Sequence, residues 1–274
     1  MKKNVLINIL FITSICFYHQ IVYSDDALTY LRKGNVYLKL GRVEEAVEAY
    51  EQSIRLDSNQ AEAFIGLGGA YSLLDRNEEA IPAFLRGIKL KPNDAKAHAG
   101  LGAVYARCKR WKAAAQAFQQ AVKLNPDYVI AHVALADIYM ILRQFQKAKK
   151  SYSEAIRLEP DNFQAYIGLA VALGALGEHN NALQYYLEAV KLRPDDFQAQ
   201  FGLGVANLRL ARWQEAKRAF EKAVRIKPND VGAQYNLGVA YLKLGDRKSA
   251  RQQYEILKNL DKNEADELLR YLNK

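Results

Sequence analysis

From Ala27 onward, apolar residues recur at spacings of three and four, break, and resume, and the whole pattern returns every 34 residues. Seven windows run without insertion: 27–60, 61–94, 95–128, 129–162, 163–196, 197–230 and 231–264. Positions 4, 7, 8 and 11 of a window, and then 20, 21, 24, 27 and 28, are apolar or small with helical periodicity. Each window therefore predicts two amphipathic helices, and the chain an all-α fold. Position 20 is always alanine (Ala46, Ala80, Ala114, Ala148, Ala182, Ala216, Ala250), and position 24 is always aromatic (Tyr50, Phe84, Phe118, Tyr152, Tyr186, Phe220, Tyr254). Small residues at 8, 20 and 27 let the two helices approach closely, and the aromatic ring fills the space between them. One such pair cannot bury its apolar face alone, so neighbouring pairs stack.

The ends of the predicted helices carry their own signals. Asn or Asp at position 33 precedes each first helix as a capping residue, and Gly41, Gly177 and Gly245 at position 15 are placed to end it. Pro82, at position 22, is expected in the first turns of a helix, where proline is least disruptive. The first and last windows depart from the pattern, with Lys33 at a leucine position and Leu257 at a small one, as end units do. Beyond them, Leu268, Leu269 and Leu272 in residues 265–274 predict a helix that closes the C-terminal face.

Leucine at position 7, glycine or alanine at 8, tyrosine at 11, alanine at 20, the aromatic at 24 and prolines 92, 126, 160, 194 and 228 at position 32 together resemble the tetratricopeptide repeat (TPR) family. The resemblance covers residues 27–264. It implies an all-α, right-handed superhelical solenoid of seven helix-turn-helix units plus the capping helix. Its concave surface, lined by positions 2, 5, 6, 9, 12 and 13 of the first helices, is then the binding groove. On this chain the implied groove is Ile65, Gly66, Gly69, Ala99, Gly100, Ala103, Arg107, Val133, Met140, Ile167, Gly168, Val171, Phe201, Gly202, Val205, Arg209, Tyr235, Asn236, Val239 and Lys243. It is largely apolar. Four glycines in column 6 (Gly66, Gly100, Gly168, Gly202) call for a reason, because glycine inside a helix costs about 0.5–1 kcal/mol relative to alanine. They relieve crowding from superhelix curvature, or they leave a trough for a partner. Lys39, Arg107, Arg209 and Lys243 at position 13 set cations along one side, so the expected partner is an amphipathic helix or extended segment with apolar anchors and acidic residues. The family's terminal-carboxylate clamp and its asparagine ladder do not carry over: no lysine-asparagine trio recurs, and column 6 holds only Asn236.

The remaining chemistry narrows the function classes. Residues 64–71, FIGLGGAY, contain GxG, but Tyr71 stands where a dinucleotide fingerprint needs its third glycine, and no strand precedes it. Zinc-protease, hydrolase-elbow, P-loop, EF-hand and paired-cysteine motifs are absent from the sequence. His98 and His132 share position 4 with Tyr30, Phe64 and Tyr166, which makes them packing residues rather than metal ligands, and Cys108 reads as structural. No enzyme, cofactor or metal is expected. The formal net charge of +9 falls to +7 without Lys2 and Lys3, and Arg55, Lys89, Lys123, Arg157, Lys191 and Arg225 at position 29 complement helix C-termini. With the aromatics in core columns, nucleic acid is not an expected partner. Residues 1–24 combine Lys2-Lys3, an apolar run from Val5 to Tyr18 and a Val22-Tyr23-Ser24 cleavage site, and so predict a signal peptide and export to a bacterial periplasm or beyond. Together these readings predict an envelope scaffold that binds protein and supports assembly of a pilus, outer-membrane or polysaccharide-export complex. The alternatives are a chaperone-like holder of exported clients and, less favoured, a cryptic enzyme or metal-binding protein.

Overall fold

The computed structural model of the chain describes residues 26–273, so the predicted signal peptide over 1–24 lies outside the described residues. Among the described residues there are fifteen helices and no strand. The first unit of the fold holds α1 (residues 26–39), α2 (Val43–Leu56), α3 (Ala61–Leu73), α4 (Asn77–Leu90), α5 (Ala95–Arg107) and α6 (Trp111–Leu124). α7 (Val129–Ile141) contains the boundary between two compact units, 1–131 and 132–274. The second unit continues with α8 (Phe145–Leu158), α9 (Phe163–Ala175), α10 (His179–Leu192), α11 (Phe197–Arg209), α12 (Trp213–Ile226), α13 (Val231–Lys243), α14 (Arg247–Leu260) and α15 (Lys262–Leu272).

Both units use one packing scheme. A first helix packs on the second helix of its own repeat, on the second helix before it and on the next first helix, as α11 does on α12, α10 and α13. The backbones of successive second helices stay apart among the described residues, so α10 and α12 are bridged by α11, although side chains cross between neighbours, as Lys149 of α8 does to Glu178 at the start of α10. The alanines of position 20 are fully buried in every repeat, and this lets the paired helices close on each other. α15 takes the place of an eighth first helix, packing on both α13 and α14, and buries Leu268 against Gly238.

Helix ends follow the expected chemistry with a shift of register. The side chains that cap the first helices belong to position 34, not 33: Asp94, Asn162, Asp196 and Asp230 accept from Ala97, Ala165, Ala199 and Ala233 N–H at 3.0, 3.0, 2.9 and 2.8 Å. Proline at position 32 leads into a two-residue turn that leaves position 33 in the bend. α15 likewise starts at Lys262, three residues ahead of the expected Ala265, because Asp261 caps it through Asn263 and Glu264 N–H. Gly41, Gly177 and Gly245 end their helices at φ 73°, 78° and 80°, in the left-handed region as expected. Asp75, Lys109, Arg143 and Ala211 hold the same column at φ 56–60° without being glycine. Pro82 lies in the second turn of α4, within the opening turns as expected.

Candidate functional site

The aromatic of position 24 organises the first-helix face. In its own repeat it lies against position 8: a Cβ added to Gly34 would fall 2.6 Å from Tyr50 Cε1, and one added to Gly68 would fall 2.8 Å from Phe84 Cδ2. The same ring also reaches into the next repeat. A Cβ on Gly66 would meet Tyr50 Cζ at 2.6 Å, and one on Gly100 would meet Phe84 Cε1 and Cζ at 2.7 Å. Tyr152 and Tyr186 close on Gly168 and Gly202 in the same manner. Tyr50 and Phe84 are therefore each held between glycine at position 8 of their own repeat and glycine at position 6 of the next first helix. This narrows the expectation of an open glycine trough: Gly66, Gly100, Gly168 and Gly202 each make room for a ring of the protein itself, so the column is not an open channel along its length. Gly69 differs, with nothing within 4 Å of a built Cβ.

The predicted groove residues separate into three groups. In the first unit, Ile65 packs on Gly87 and joins the core cluster, Ala99 is buried, and Ala103 is exposed. Arg107 is tied down: it pairs with Asp75, and its Nη1 donates to the Ser72 carbonyl at 2.7 Å. At the C-terminal end, Tyr235 donates to Glu267 of α15 at 2.9 Å, the Asn236 amide donates to the Gly232 carbonyl at 2.8 Å, and Val239 packs in the cluster built around Leu268. Lys243 lies over the Trp213 ring, while Arg209 is exposed and Val133 half-buried. So the cation row of position 13 is partly engaged within the protein, and α15 takes up the face of the last repeat.

The third group comes together. Met140, Ile167, Gly168, Val171, Phe201, Gly202 and Val205, from α7, α9 and α11, line a cavity of about 540 Å³. That volume is in the range of small-ligand and side-chain pockets. Tyr152, Tyr186 and Phe197 complete its walls, and Gln164 and Gln198, both at position 2, supply the amides. Phe201 stacks on Phe197 at 5.7 Å between centroids and meets Phe220 edge-on at 5.8 Å, which fixes its orientation. Val171 is 44% exposed at the mouth. No lysine or arginine lines the cavity.

Beside it lies an acid that sequence reasoning passed over. Asp137, at position 9, accepts from the Tyr152 hydroxyl. Burial lifts its carboxyl above the ordinary aspartate value although the hydroxyl bond works against that, and burial together with Asp137 raises the Tyr152 hydroxyl. Burial alone pushes Tyr186 up to about 12. The available signal was that position 24 carries tyrosine with a polar residue at position 9 twice, since Tyr50 makes the same bond to Asn35 at 2.7 Å.

The two histidines are both half-buried. The His98 Nε2 donates to the Pro92 carbonyl at 2.9 Å, as the Gln200 and Gln234 amides do to Pro194 and Pro228 at 2.7 Å. His132 has Glu154 as a neighbour. Cys108 packs half-buried against the core of the first unit as a free thiol. Among the described residues no group of three or more His, Cys, Asp or Glu is placed to hold a metal ion.

Comparison with known proteins agrees with the repeat geometry. Models of the tetratricopeptide repeat match residues 61–94, 95–128, 133–197, 172–231 and 207–270, and one described as TPR repeat matches 34–75. The chain belongs to the tetratricopeptide repeat family, and its fold is the all-α TPR solenoid. Among solved structures it is similar to MamA from Desulfovibrio magneticus RS-1, with 24% identity and a TM-score of 0.58 over 62% of this chain and 96% of that one. It is similar also to YrrB, described as a TPR protein with an unusual peptide-binding site, with 21% identity and a TM-score of 0.64 over 68% and 96%. A third is PilF of Pseudomonas aeruginosa, at 17% identity with a TM-score of 0.64 over 77% and 96%. No curated protein matches the chain.

Proposed function

We propose that this protein is a non-catalytic scaffold that binds a segment of a partner protein, and that the cavity between α7, α9 and α11 is where the segment is anchored. One observation carries the proposal: an open, apolar cavity of about 540 Å³ with Val171, 44% exposed, at its mouth. An exposed aliphatic surface over a preformed recess gains from covering by apolar side chains, about 25 cal/mol per Å² removed from water. Gln164 and Gln198 on the rim offer donors and acceptors to a peptide backbone. The YrrB structure, described as having a peptide-binding site, supports this use of the fold. Without cations in its lining, the cavity favours an apolar anchor, and acidic residues of the partner fall outside it.

The predicted signal sequence supports export and a place in the cell envelope, with assembly of an envelope complex as the process served. Among the described residues no helix is long and apolar enough to cross a membrane. A photo-crosslinking residue at Val171, with mass spectrometry of the product, tests the site. The expected result is one dominant partner, with Val205→Glu abolishing its capture while helical content is unchanged. Unaltered capture by that variant would remove the cavity from consideration. Fusion of residues 1–30 to a reporter active only after export tests the localisation separately.

A further inference from the structure

On the opposite side of the second unit, α10 and α12 flank a cleft floored by α11, because the backbones of the two second helices stay apart. The cleft holds a recess of about 300 Å³. Its α10 wall is apolar, with Leu183 buried and Leu187 37% exposed; Leu203 and the amides of Gln200 and Asn207 form the floor; its α12 wall presents Arg218 and Lys222, with Arg212 and Glu215 at the end. Arg218 and Lys222 are four residues apart in α12, so they share one face, a helical turn apart. Leu183 and Leu187 are related in the same way on α10.

This arrangement is particular to one junction. The residues at positions 22 and 26 of the seven repeats are Glu48/Gln52, Pro82/Arg86, Gln116/Gln120, Lys150/Glu154, Gln184/Glu188, Arg218/Lys222 and Gln252/Ile256. Only the sixth repeat carries two cations there. At the preceding junction, position 21 of one repeat and position 16 of the next are Lys149 and Glu178, which pair at 2.8 Å. Here the same two positions are Leu183 and Arg212, so a cation faces an apolar side chain. Arg110 at position 16 finds Glu78 at 3.1 Å, but the residue equivalent to Glu78 before Arg212 is Asn180. Among the described residues no carboxylate comes within ion-pair distance of Arg212, Arg218 or Lys222, and Glu215 is the single acid in the lining.

We propose that this cleft is a second docking site, for a short amphipathic segment of a partner protein. Its apolar side chains enter between Leu187 and Leu203, and its carboxylates meet Arg218 and Lys222. An apolar wall facing a basic wall selects an occupant with one apolar and one acidic face, because either face alone leaves a wall unsatisfied. A bilayer is a poorer fit: the leucines lie between two helices, where a flat surface cannot reach them while the cations touch headgroups.

The test uses the protein lacking residues 1–24 and a fluorescein-labelled peptide, GELLEELLEELL, followed by anisotropy. Binding is expected to weaken about tenfold or more in Arg218→Glu/Lys222→Glu, and similarly in Leu187→Lys or when glutamine replaces the peptide's glutamates. Lys248→Glu/Arg251→Glu, which removes the same charge outside the cleft, is expected to stay within about twofold, since exposed surface charges act weakly at a distance. Val171→Glu is also expected to leave binding unchanged, which separates this site from the anchoring cavity. Equal losses in the two double variants, or none in either, overturn the proposal. So does retention of the peptide by Arg218→Glu/Lys222→Glu when that variant has instead lost binding to phosphatidylglycerol vesicles, because the surface is then a lipid contact.

Discussion

Adding one methyl group to Gly69 or to Gly100 should move stability in opposite directions, although both glycines lie in the interior of a first helix. Alanine in place of glycine gains about 0.5–1 kcal/mol from helix propensity when nothing else changes. Gly69 meets that condition, having no atom within 4 Å of a built Cβ. At Gly100 the new carbon would lie 2.7 Å from both Cε1 and Cζ of Phe84. The ring has little room to retreat, because it is 4% exposed and its other edge packs along the Gly68 backbone. Overpacking of that kind costs about 1–3 kcal/mol, so Gly100→Ala should lose about 1 kcal/mol net. For a protein of this size that is a fall in Tm of about 2–4 °C, against a rise of about 1–4 °C for Gly69→Ala. Thermal unfolding followed by circular dichroism distinguishes the two. A Phe84→Leu background removes the atoms that clash, and there Gly100→Ala should become stabilising. If Gly100→Ala raises Tm as Gly69→Ala does in the unaltered protein, the ring does not occupy column 6 and the glycines of that column do not serve to admit it.

Three further outcomes follow from the same geometry. Asp196→Ala and Asp230→Ala should each cost about 1 kcal/mol as lost caps, while Asp195→Ala and Asn229→Ala, one residue earlier, should stay within about 0.5 kcal/mol by urea denaturation. Lys109→Gly and Ala211→Gly relieve left-handed backbone at φ 56° and 57° and should each gain about 1 kcal/mol, and Gly177→Ala at φ 78° should lose as much, read as shifts in denaturation midpoint. Asp137 sets a pH dependence: its folded carboxyl is raised above the ordinary 3.8, so the native state holds this proton more tightly than the unfolded chain. Its contribution to stability therefore declines as pH rises from that value through the folded one. Asp137→Asn keeps an acceptor for Tyr152, in the arrangement that Asn35 and Tyr50 already make, so its Tm should exceed that of the unaltered protein at neutral pH, with the difference shrinking on acidification.

The repeat, the pairing of two helices per window, the alanine column and the family were legible in the sequence, because helical amphipathicity is a local property and seven copies remove its ambiguity. Alanine at position 20 has one reading in any stack: it is buried where two helices touch. Glycine at position 6 has several, and they were separated only by an atom from the preceding repeat, Tyr50 against Gly66 and Phe84 against Gly100. The capping column was misplaced by one residue for a similar reason, since the turn after proline sets which side chain meets the free N–H groups. Columns 5, 6, 9 and 12 named the cavity residues, but columns 5 and 9 equally named Ile65, Tyr235 and Val239, which pack into core clusters or against α15.

What the sequence determined by itself was every property that repeats: element type, spacing, the buried small residues and the broad class of protein. What only tertiary structure decided was every property in which one repeat differs from the next, such as the cavity beside Val171 and the cleft between Leu187 and Lys222. The division has a physical cause. A periodic pattern is satisfied within a helix and its immediate partner, whereas a site is formed by side chains from three helices whose distances no single helix encodes.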